Sequence, residues 1–368
     1  MILDVSDKAF KQIFNDENLY LPHRWDGTDF SNSLGKLFND YIKRIEMFVD
    51  GEKYHKDIHI NVSEIRKVTK GIIASVDYYL NGFPHKAYSR FSRALNVLVK
   101  TPLRVYQKSI FEDFRAFKDF YQNDLNLFRV ARVSDNKPYT RCRVFHTPFN
   151  LRSKVSTCRY SIAGYPSLYL GTSLELCCAE LNINPFNDLA LASLFRFERS
   201  IEMINTNIRV IELGIKPQDF LDIRSENKNY NTDLLDSSSV KSAYLLWYPL
   251  IAACSFIRTN KNDPFAAEYI IPQLLMQWVR NELDTDDKHN IDQLLGIRYF
   301  SCASIKASNL GFNYVFPTSG KQKTKDLPYC SVLTKAFRLS NPVYLHEYDS
   351  LYSSEDHLKN SRDVDFIK

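Results

Sequence analysis

The sequence predicts an α+β protein, with a helical bundle at the N-terminus followed by a domain of mixed strands and helices. Apolar residues recur at helical spacing through the first 120 residues. After Asp124 the apolar segments are short and have strand composition, and no regular strand–helix–strand alternation follows. We therefore expect two domains, a helical one over residues 1–122 and an α+β one over residues 123–368.

The N-terminal helices are indicated by stripes of apolar residues three and four positions apart. These stripes run from Leu34 to Val49, from Ile65 to Leu80, from Ala87 to Leu98 and from Phe111 to Phe120. Asn81-Gly82-Phe83-Pro84 should separate the second helix from the third, because glycine favours the position after a helix and proline the first helical turn. We expect this domain to serve regulation, targeting or oligomerisation.

The second domain should begin with a strand and continue as short strands and helices. Strands are expected at 127–133, 167–170, 192–197, 208–213 and 314–316, helices or buried segments near 174–181, 240–257 and 269–281, and a polar loop at 222–239. Thr172 or Ser173 can cap the helix that runs to Leu181, with Glu175 completing a capping box from Thr172.

Glycine usage excludes several enzyme classes. The chain has 11 glycines, and its closest pair, Gly164 and Gly171, is seven positions apart. An average protein of this length would have roughly 26. The G-x-G-x-x-G, P-loop, kinase-loop and G-x-S-x-G motifs are therefore absent. An ordinary Rossmann dehydrogenase, NTPase, kinase or α/β-hydrolase does not fit.

Charge and cysteine usage point to a cytoplasmic protein without a metal centre. A net charge of +5 is too small for a dedicated nucleic-acid binder. The seven cysteines include no C-x-x-C pair, so neither a zinc ribbon nor a disulfide framework is indicated. The N-terminus lacks the pattern of a signal peptide, and the longest apolar stretch, Tyr244–Ile257, is shorter than the roughly 20 residues of a membrane span.

The candidate chemistry centres on Arg159, Tyr169 and Glu180. Glu180 lies three residues after Cys177 on a helix whose expected apolar face comprises Leu174, Cys177, Cys178 and Leu181. A carboxylate near a core needs a partner, and the arginines at positions 129, 132, 141, 143 and 159 could supply one. From the residues alone, a structural ion pair and an anion-binding cleft both remain open.

A longer motif bears on the choice between a structural ion pair and an anion-binding cleft. Arg159-Tyr160-Ser161-Ile162-Ala163-Gly164-Tyr165-Pro166-Ser167-Leu168-Tyr169-Leu170-Gly171, followed by Cys178-Ala179-Glu180-Leu181, resembles the signature of the RES-domain family, with Cys158 in place of the usual glycine. Leu127-Phe128-Arg129-Val130 resembles the first strand of that family. The segment 296–303 resembles the one that carries its serine, and 313–317 its closing strand. The resemblance covers roughly residues 125–320.

The resemblance implies a fold like that of the diphtheria-toxin type of ADP-ribosyltransferase, with NAD+ as substrate and no metal. It implies that Glu180 stabilises the ribose cation formed when nicotinamide leaves, and that Arg129 and Arg159 hold the pyrophosphate. Tyr169 would pack against the nicotinamide end, and Ser301 would donate a hydrogen bond near the same centre. Ser255, Ser304 and Ser308 compete with Ser301 for the position of the family serine.

The acceptor of the ADP-ribose stays open. Water would make the enzyme a glycohydrolase, phosphate a phosphorylase, and a protein side chain an ADP-ribosyltransferase. We expect NAD+ degradation by one of the first two routes, because the motif contains no obvious element for docking a protein substrate, with ADP-ribosylation of a protein target as the alternative. By resemblance we expect a toxin or antiphage defence effector restrained by an antitoxin or another regulatory protein, and the oligomeric state is left open. The alternative from a different class is a non-catalytic interaction protein on a degenerate RES fold.

Overall fold

The computed structural model describes residues 5–49, 61–100, 126–197, 208–221, 238–285, 294–318, 328–362 and 364–365. The chain forms two compact units, one comprising Met1–Asp113 and Ile215–Trp278, the other Phe114–Gly214 and Val279–Lys368. The expected helix from Phe111 to Phe120, the boundary between residues 122 and 123, and most of the 222–239 loop lie outside the described residues.

The helices alternate with irregular segments. In chain order they are α1 Val5–Phe14, α2 Phe30–Val49, α3 Val62–Leu80, α4 Pro84–Lys100, α5 Leu174–Leu181, α6 Pro217–Leu221, α7 Ser238–Ala253, α8 Ile270–Thr285, α9 Ser331–Ala336 and α10 Leu351–Asn360. Helices α2, α3 and α4 confirm three of the predicted apolar stripes. Helix α4 begins at Pro84, and Gly82 adopts a φ of +81° between α3 and α4, as its position after a helix predicts. Helix α1 was not predicted.

The segment Ile215–Trp278 belongs to the first unit, whereas the sequence analysis placed it in the second domain. Its aromatic side chains explain the difference, because they pack against the N-terminal helices. The ring centroids lie 4.8 Å apart for Phe220 and Phe10, 5.6 Å for Tyr244 and Phe14, and 4.4 Å for Tyr248 and Tyr41. The second unit is therefore interrupted in sequence between its fourth and fifth strands.

The second unit is built on one mixed sheet. Its described strands are β1 Leu127–Arg132, β2 Ser167–Gly171, β3 Ala190–Phe197, β4 Ile208–Leu213, β5 Leu294–Phe300, β6 Phe312–Pro317, β7 Phe337–Leu339, β8 Val343–Tyr344 and β9 Val364–Asp365. The spatial order is β4-β5-β6-β2-β1-β3-β7-β9, with β8 also paired to β3. Strands β4 and β5 are parallel and the other described pairs antiparallel. The predicted α+β class, with helices at the N-terminus, is confirmed.

Helix α5 differs from its prediction in two details. Its cap is Ser173, whose Oγ accepts a hydrogen bond from the Leu176 amide at 3.2 Å. Thr172 does not form the expected capping box, because its Oγ1 instead accepts from the Phe312 amide at 2.9 Å. Leu181 is exposed and Leu176 is buried, so the apolar face of the helix is rotated from the expected one.

Candidate functional site

The candidate site lies where β1 and β2 separate. Strand β2 pairs with β6 along its whole length, from Ser167 opposite Pro317 to Gly171 opposite Asn313. Among the described residues, β1 meets β2 at a single paired position, Phe128 opposite Gly171. Adjacent strands of a continuous sheet lie about 4.8 Å apart. The two strands therefore diverge from Gly171 towards Ser167, where the described residues of β1 no longer pair with β2.

Arg129 follows Phe128, the position of β1 that pairs with β2. Its Nη1 atom is buried and has no hydrogen-bond partner among the described residues. Burial lowers the pKa of Arg129 to about 10, although the nearby Cys177, Cys158 and Tyr169 side chains act in the opposite direction. The guanidinium therefore remains charged at neutral pH. A buried cation with an open donor is costly by itself, and it is the arrangement that an anion would stabilise.

Arg159 and Tyr169 are fixed by the turn that precedes β2. Arg159 is 9% exposed. The hydroxyl of Ser161 accepts from the Cys158 amide and donates to the Cys158 carbonyl, both at 2.9 Å, so the backbone around Arg159 is closed into a tight loop. The Tyr169 hydroxyl donates a hydrogen bond to the Tyr160 carbonyl and ties β2 to the same turn. Gly164, with a φ of +67°, permits the chain reversal.

Glu180 lies on α5, and its carboxylate is oriented by a residue that the sequence analysis did not single out. The side-chain amide of Asn313 donates to Glu180 Oε1 at 2.6 Å. Asn313 is 6% exposed and sits on β6 directly opposite Gly171. Glu180 itself is exposed, whereas we expected a carboxylate held near the core. The rotated apolar face of α5 explains this exposure, and Asn313 binds one of the two carboxylate oxygens.

Helix α5 approaches the sheet closely because residue 171 is glycine. A Cβ atom at Gly171 would lie 2.7 Å from Cys177 Sγ, closer than packed atoms tolerate. The Cys177 thiol donates to the Phe128 carbonyl at 3.4 Å, and burial raises the pKa of this thiol. At the start of the helix the Leu174 amide donates to Glu355 Oε1 at 2.7 Å. These contacts hold the helix that carries Glu180 against the site where β1 and β2 part.

Tyr299 is a second site residue that was not singled out. It lies on β5 opposite Asn313, and its ring centroid is 4.6 Å from that of Tyr160. Burial raises its pKa, the Glu180 carboxylate raises it further, and the Arg159 guanidinium lowers it. Tyr299 therefore presents a neutral hydroxyl within the electrostatic reach of both Arg159 and Glu180. A tyrosine in an apolar strand gives no sequence signal for this role, since most such residues are core.

Ser301 stands apart from the other four predicted residues. It is fully buried, and its Oγ accepts a hydrogen bond from the Ala303 amide at 3.1 Å in the turn after β5. Among the described residues its hydroxyl forms no hydrogen bond to Arg129, Arg159, Tyr169 or Glu180. The three competing serines are also engaged locally: Ser255 with the Ile251 carbonyl, Ser304 with the Ala307 amide and Ser308 with the Ile305 carbonyl.

His146 is a buried anchor near Arg129. Its Nε2 accepts from the Cys330 amide at 2.9 Å, so Nδ1 carries the proton and donates to the Thr147 carbonyl at 2.8 Å. Burial and, to a smaller extent, the Arg129 guanidinium lower the pKa of His146 to about 4, although the hydrogen bond to the Thr147 carbonyl acts in the opposite direction. The imidazole is therefore neutral at pH 7 and adds no second charge beside the buried arginine.

Among the residues that the structure describes, no three His, Cys, Asp or Glu side chains cluster so that they could hold a metal ion. No helix within these residues combines the length and apolar character that crossing a bilayer demands.

Comparison with known proteins gives a distant relative. The chain is 26% identical over 340 residues to a protein of Bacillus subtilis (strain 168) named "Putative toxin YopC", a match that spans 91% of this chain and 70% of the relative. No protein-family model matches the chain. No solved structure matches it either.

Proposed function

We propose that the chain is an NAD+-cleaving toxin of the RES type, which breaks the bond between nicotinamide and ribose. The observation that carries the proposal is the open, buried donor of Arg129 on β1, close to the Tyr169 and Cys158 side chains. Glu180 is held near the Gly171 end of β2 by Asn313, which binds one of its carboxylate oxygens. The name of the relative supports the toxin role.

In this proposal the pyrophosphate binds Arg129 and Arg159, because a guanidinium offers phosphate a planar fork of donors. Tyr169 packs against the nicotinamide end. The Oε1 atom of Glu180 accepts from Asn313, so Oε2 is directed to the ribose. As the C–N bond breaks, its electron pair leaves with neutral nicotinamide and positive charge develops on the ribose, where a carboxylate stabilises it.

The acceptor then supplies the electron pair of the new bond to the ribose carbon and releases its proton. Water, phosphate and a protein side chain are all compatible with this step. The exposure of Glu180 favours one alternative, ADP-ribose transfer to a protein target, because a bulky acceptor needs access to that carboxylate. By the same resemblance, an antitoxin or another regulatory protein would restrain the activity.

The test is nicotinamide release from NAD+ by the purified full chain, with and without phosphate. We expect Glu180→Gln to lower the rate at least about a hundredfold, the range that removal of one charge-stabilising group costs. Glu175→Gln is the matched control, since Glu175 is an exposed glutamate in the first turn of the same helix. Equal rates for the two variants would contradict the proposed role of Glu180. A folded wild type that neither binds nor cleaves NAD+ would instead favour a non-catalytic interaction protein.

A further inference from the structure

The net positive charge of the chain is concentrated on one helical hairpin, formed by α3 and α4. Residues 62–100 contain seven lysines and arginines but only two acidic residues, Glu64 and Asp77. The whole chain has 48 basic and 43 acidic residues, so the remainder balances at 41 of each. A net charge of +5 is small for the whole chain, but as a local excess on two helices it is the pattern of a surface that binds a polyanion.

Five of these cations have exposed side chains, and together we call them the cationic strip. They are Lys67 and Lys70 on α3 and Lys86, Arg90 and Arg93 on α4. Among the described residues, no carboxylate lies within ion-pair distance of any of the five. The strip therefore holds positive charges that the described part of the fold does not compensate.

The acidic residues of the hairpin do not neutralise the strip. Asp77 accepts a hydrogen bond from the hydroxyl of Ser31 on α2, and Arg66 forms an ion pair with Glu46, also on α2. One flank of α3 therefore faces α2. Glu64 is half-buried in the first turn of α3, three residues before the first lysine of the strip, and among the described residues it forms no ion pair with that lysine.

Gly71 marks the flank of α3 that faces α4. A Cβ atom there would lie 2.6 Å from Ala94 Cβ and 3.8 Å from the Arg90 carbonyl oxygen, so the two helices approach closely at this point. With 3.6 residues per turn, Lys67 and Lys70 lie between this flank and the one that faces α2. The two lysines are therefore on the side of α3 that is turned away from both neighbouring helices.

The cations of α4 border the same contact. Lys86, Arg90 and Arg93 recur at spacings of four and three residues, so they form one row on the helix surface. The apolar face of α4, which includes Phe91 and Leu95, is buried on the opposite side. Because α3 and α4 approach each other beside Arg90, this row and the two lysines of α3 lie on one surface.

We propose that the cationic strip binds the phosphate backbone of nucleic acids, without reading the bases. A nucleic-acid strand repeats a negative charge along its length, and the counterions that it releases on neutralisation favour binding. The row on α4 is about 10 Å long from the rise per residue of a helix, so it can contact more than one phosphate. The inference concerns the first unit and does not rest on the NAD+ chemistry proposed for the second.

An anionic membrane fits the strip less well. A helix that lies on a membrane needs an exposed apolar face beside its cations. The exposed large apolar side chains of this hairpin, Leu80 and Phe83, lie at its tip, about 15 Å along the helices from Lys70 and Arg93. This distance exceeds the Debye length of about 8 Å at physiological salt, so a membrane contact at the tip would use Lys86 but little of the remaining charge.

The test is fluorescence anisotropy of a labelled DNA duplex of about 20 base pairs, and of an RNA strand of about 20 nucleotides, titrated with the full chain at several salt concentrations. We expect micromolar dissociation constants that are independent of base sequence. The logarithm of the association constant should fall with the logarithm of the salt concentration with a slope of about −4, the value for four to five phosphate contacts on a duplex. Binding of neither nucleic acid at low salt would overturn the proposal.

Charge-deleting variants locate the binding surface. Lys70→Gln and Arg90→Gln should each weaken binding and reduce the salt slope by about one, because each removes one phosphate contact. Lys43→Gln is the matched control, since Lys43 is an exposed lysine of α2 whose charge is paired with Asp40. Equal losses of affinity in all three variants would overturn the proposal, because binding would then follow total charge.

Two further measurements separate this inference from its alternatives. Binding of the chain to phosphatidylserine vesicles, with no binding to either nucleic acid, would overturn the proposal in favour of a membrane surface. Nicotinamide release from NAD+ should be the same in Lys70→Gln and Arg90→Gln as in the wild type. A wild type that binds nucleic acid through the strip but releases no nicotinamide would support this inference while contradicting the proposed function.

Discussion

Two arginines of one sheet differ in whether a carboxylate balances their charge. They are Arg298 on β5 and Arg129 on β1. Arg298 forms an ion pair with Glu212, its register partner on β4, and the two side chains are 7% and 5% exposed. The Arg298 guanidinium also lies 4.7 Å from the centroid of Phe312. Among the described residues, no carboxylate pairs with Arg129 and its Nη1 atom has no hydrogen-bond partner, so the paired carboxylate is what distinguishes Arg298 from Arg129.

The difference separates a structural arginine from a candidate ligand-binding one. A buried ion pair offsets its own desolvation with a second charge and further hydrogen bonds, here including one from the Gly214 amide to Glu212 at 2.5 Å. A buried cation without that compensation raises the free energy of the fold until an anion binds. Arg298 and Glu212 form a structural ion pair that the sequence analysis did not single out, whereas anion binding at Arg129 stays a prediction.

The largest effect should come from breaking the compensated pair. Glu212→Ala would leave Arg298 buried and uncompensated, and we expect it to lower the free energy of unfolding by about 3–5 kcal/mol. Arg129→Met removes a buried charge that has no partner, so its effect should be less than about 1 kcal/mol and should favour the folded state. Urea unfolding followed by circular dichroism measures both. Equal losses of unfolding free energy in the two variants would contradict the proposed difference between Arg298 and Arg129.

The pH dependence of stability tests the surroundings of Arg129, because the neighbouring His146 is kept neutral by burial and by the Arg129 charge. The pKa of His146 falls from its ordinary 6.5 to about 4 in the folded protein, so between these values the unfolded chain binds the proton and the folded chain does not. The contribution of His146 to the free energy of unfolding is therefore fully present above pH 6.5 and is lost as the pH falls towards 4. From pH 7.5 to pH 5, His146 should account for about 2 kcal/mol of lost unfolding free energy.

The measurement compares the unfolding free energy of the wild type and His146→Gln at those two pH values. Glutamine can keep one of the two backbone hydrogen bonds and cannot be protonated. We expect His146→Gln to have a lower free energy of unfolding than the wild type at pH 7.5. Between pH 7.5 and pH 5, however, its free energy of unfolding should fall by less than that of the wild type. A variant with the same pH dependence as the wild type would mean that His146 is already able to take up a proton in the fold.

The smallest effect concerns Asn313 and its contact with Glu180. Asn313→Ala removes the amide that orients Glu180, and we expect kcat for nicotinamide release to fall about tenfold, the value of one lost hydrogen bond to a carboxylate. KM should change little, because Asn313 acts through Glu180 and not on the substrate. A rise in KM with unchanged kcat would instead place Asn313 in substrate binding.

Local sequence patterns determined much of the fold. Three helical stripes, the break at Asn81–Pro84 and strands β1, β2, β3, β4 and β6 were predictable, because each depends on side-chain periodicity and on turn residues close in sequence. Strands β5, β7, β8 and β9 were not predicted. Segment 215–278 was assigned to the wrong unit because its partners, including Phe10, Phe14 and Tyr41, lie about 200 residues away in the chain. No local pattern records such a contact.

For the site, the sequence by itself supplied the residue types, Arg129, Arg159, Tyr169 and Glu180, through a motif. The tertiary structure decided which of them have partners. It placed Asn313 on Glu180, brought Tyr299 near both Glu180 and Arg159, enclosed Ser301 in a turn, and left a donor of Arg129 open. Burial and the neighbouring charges set the cost of each ionised group, and both depend on strands that meet only when the sheet assembles.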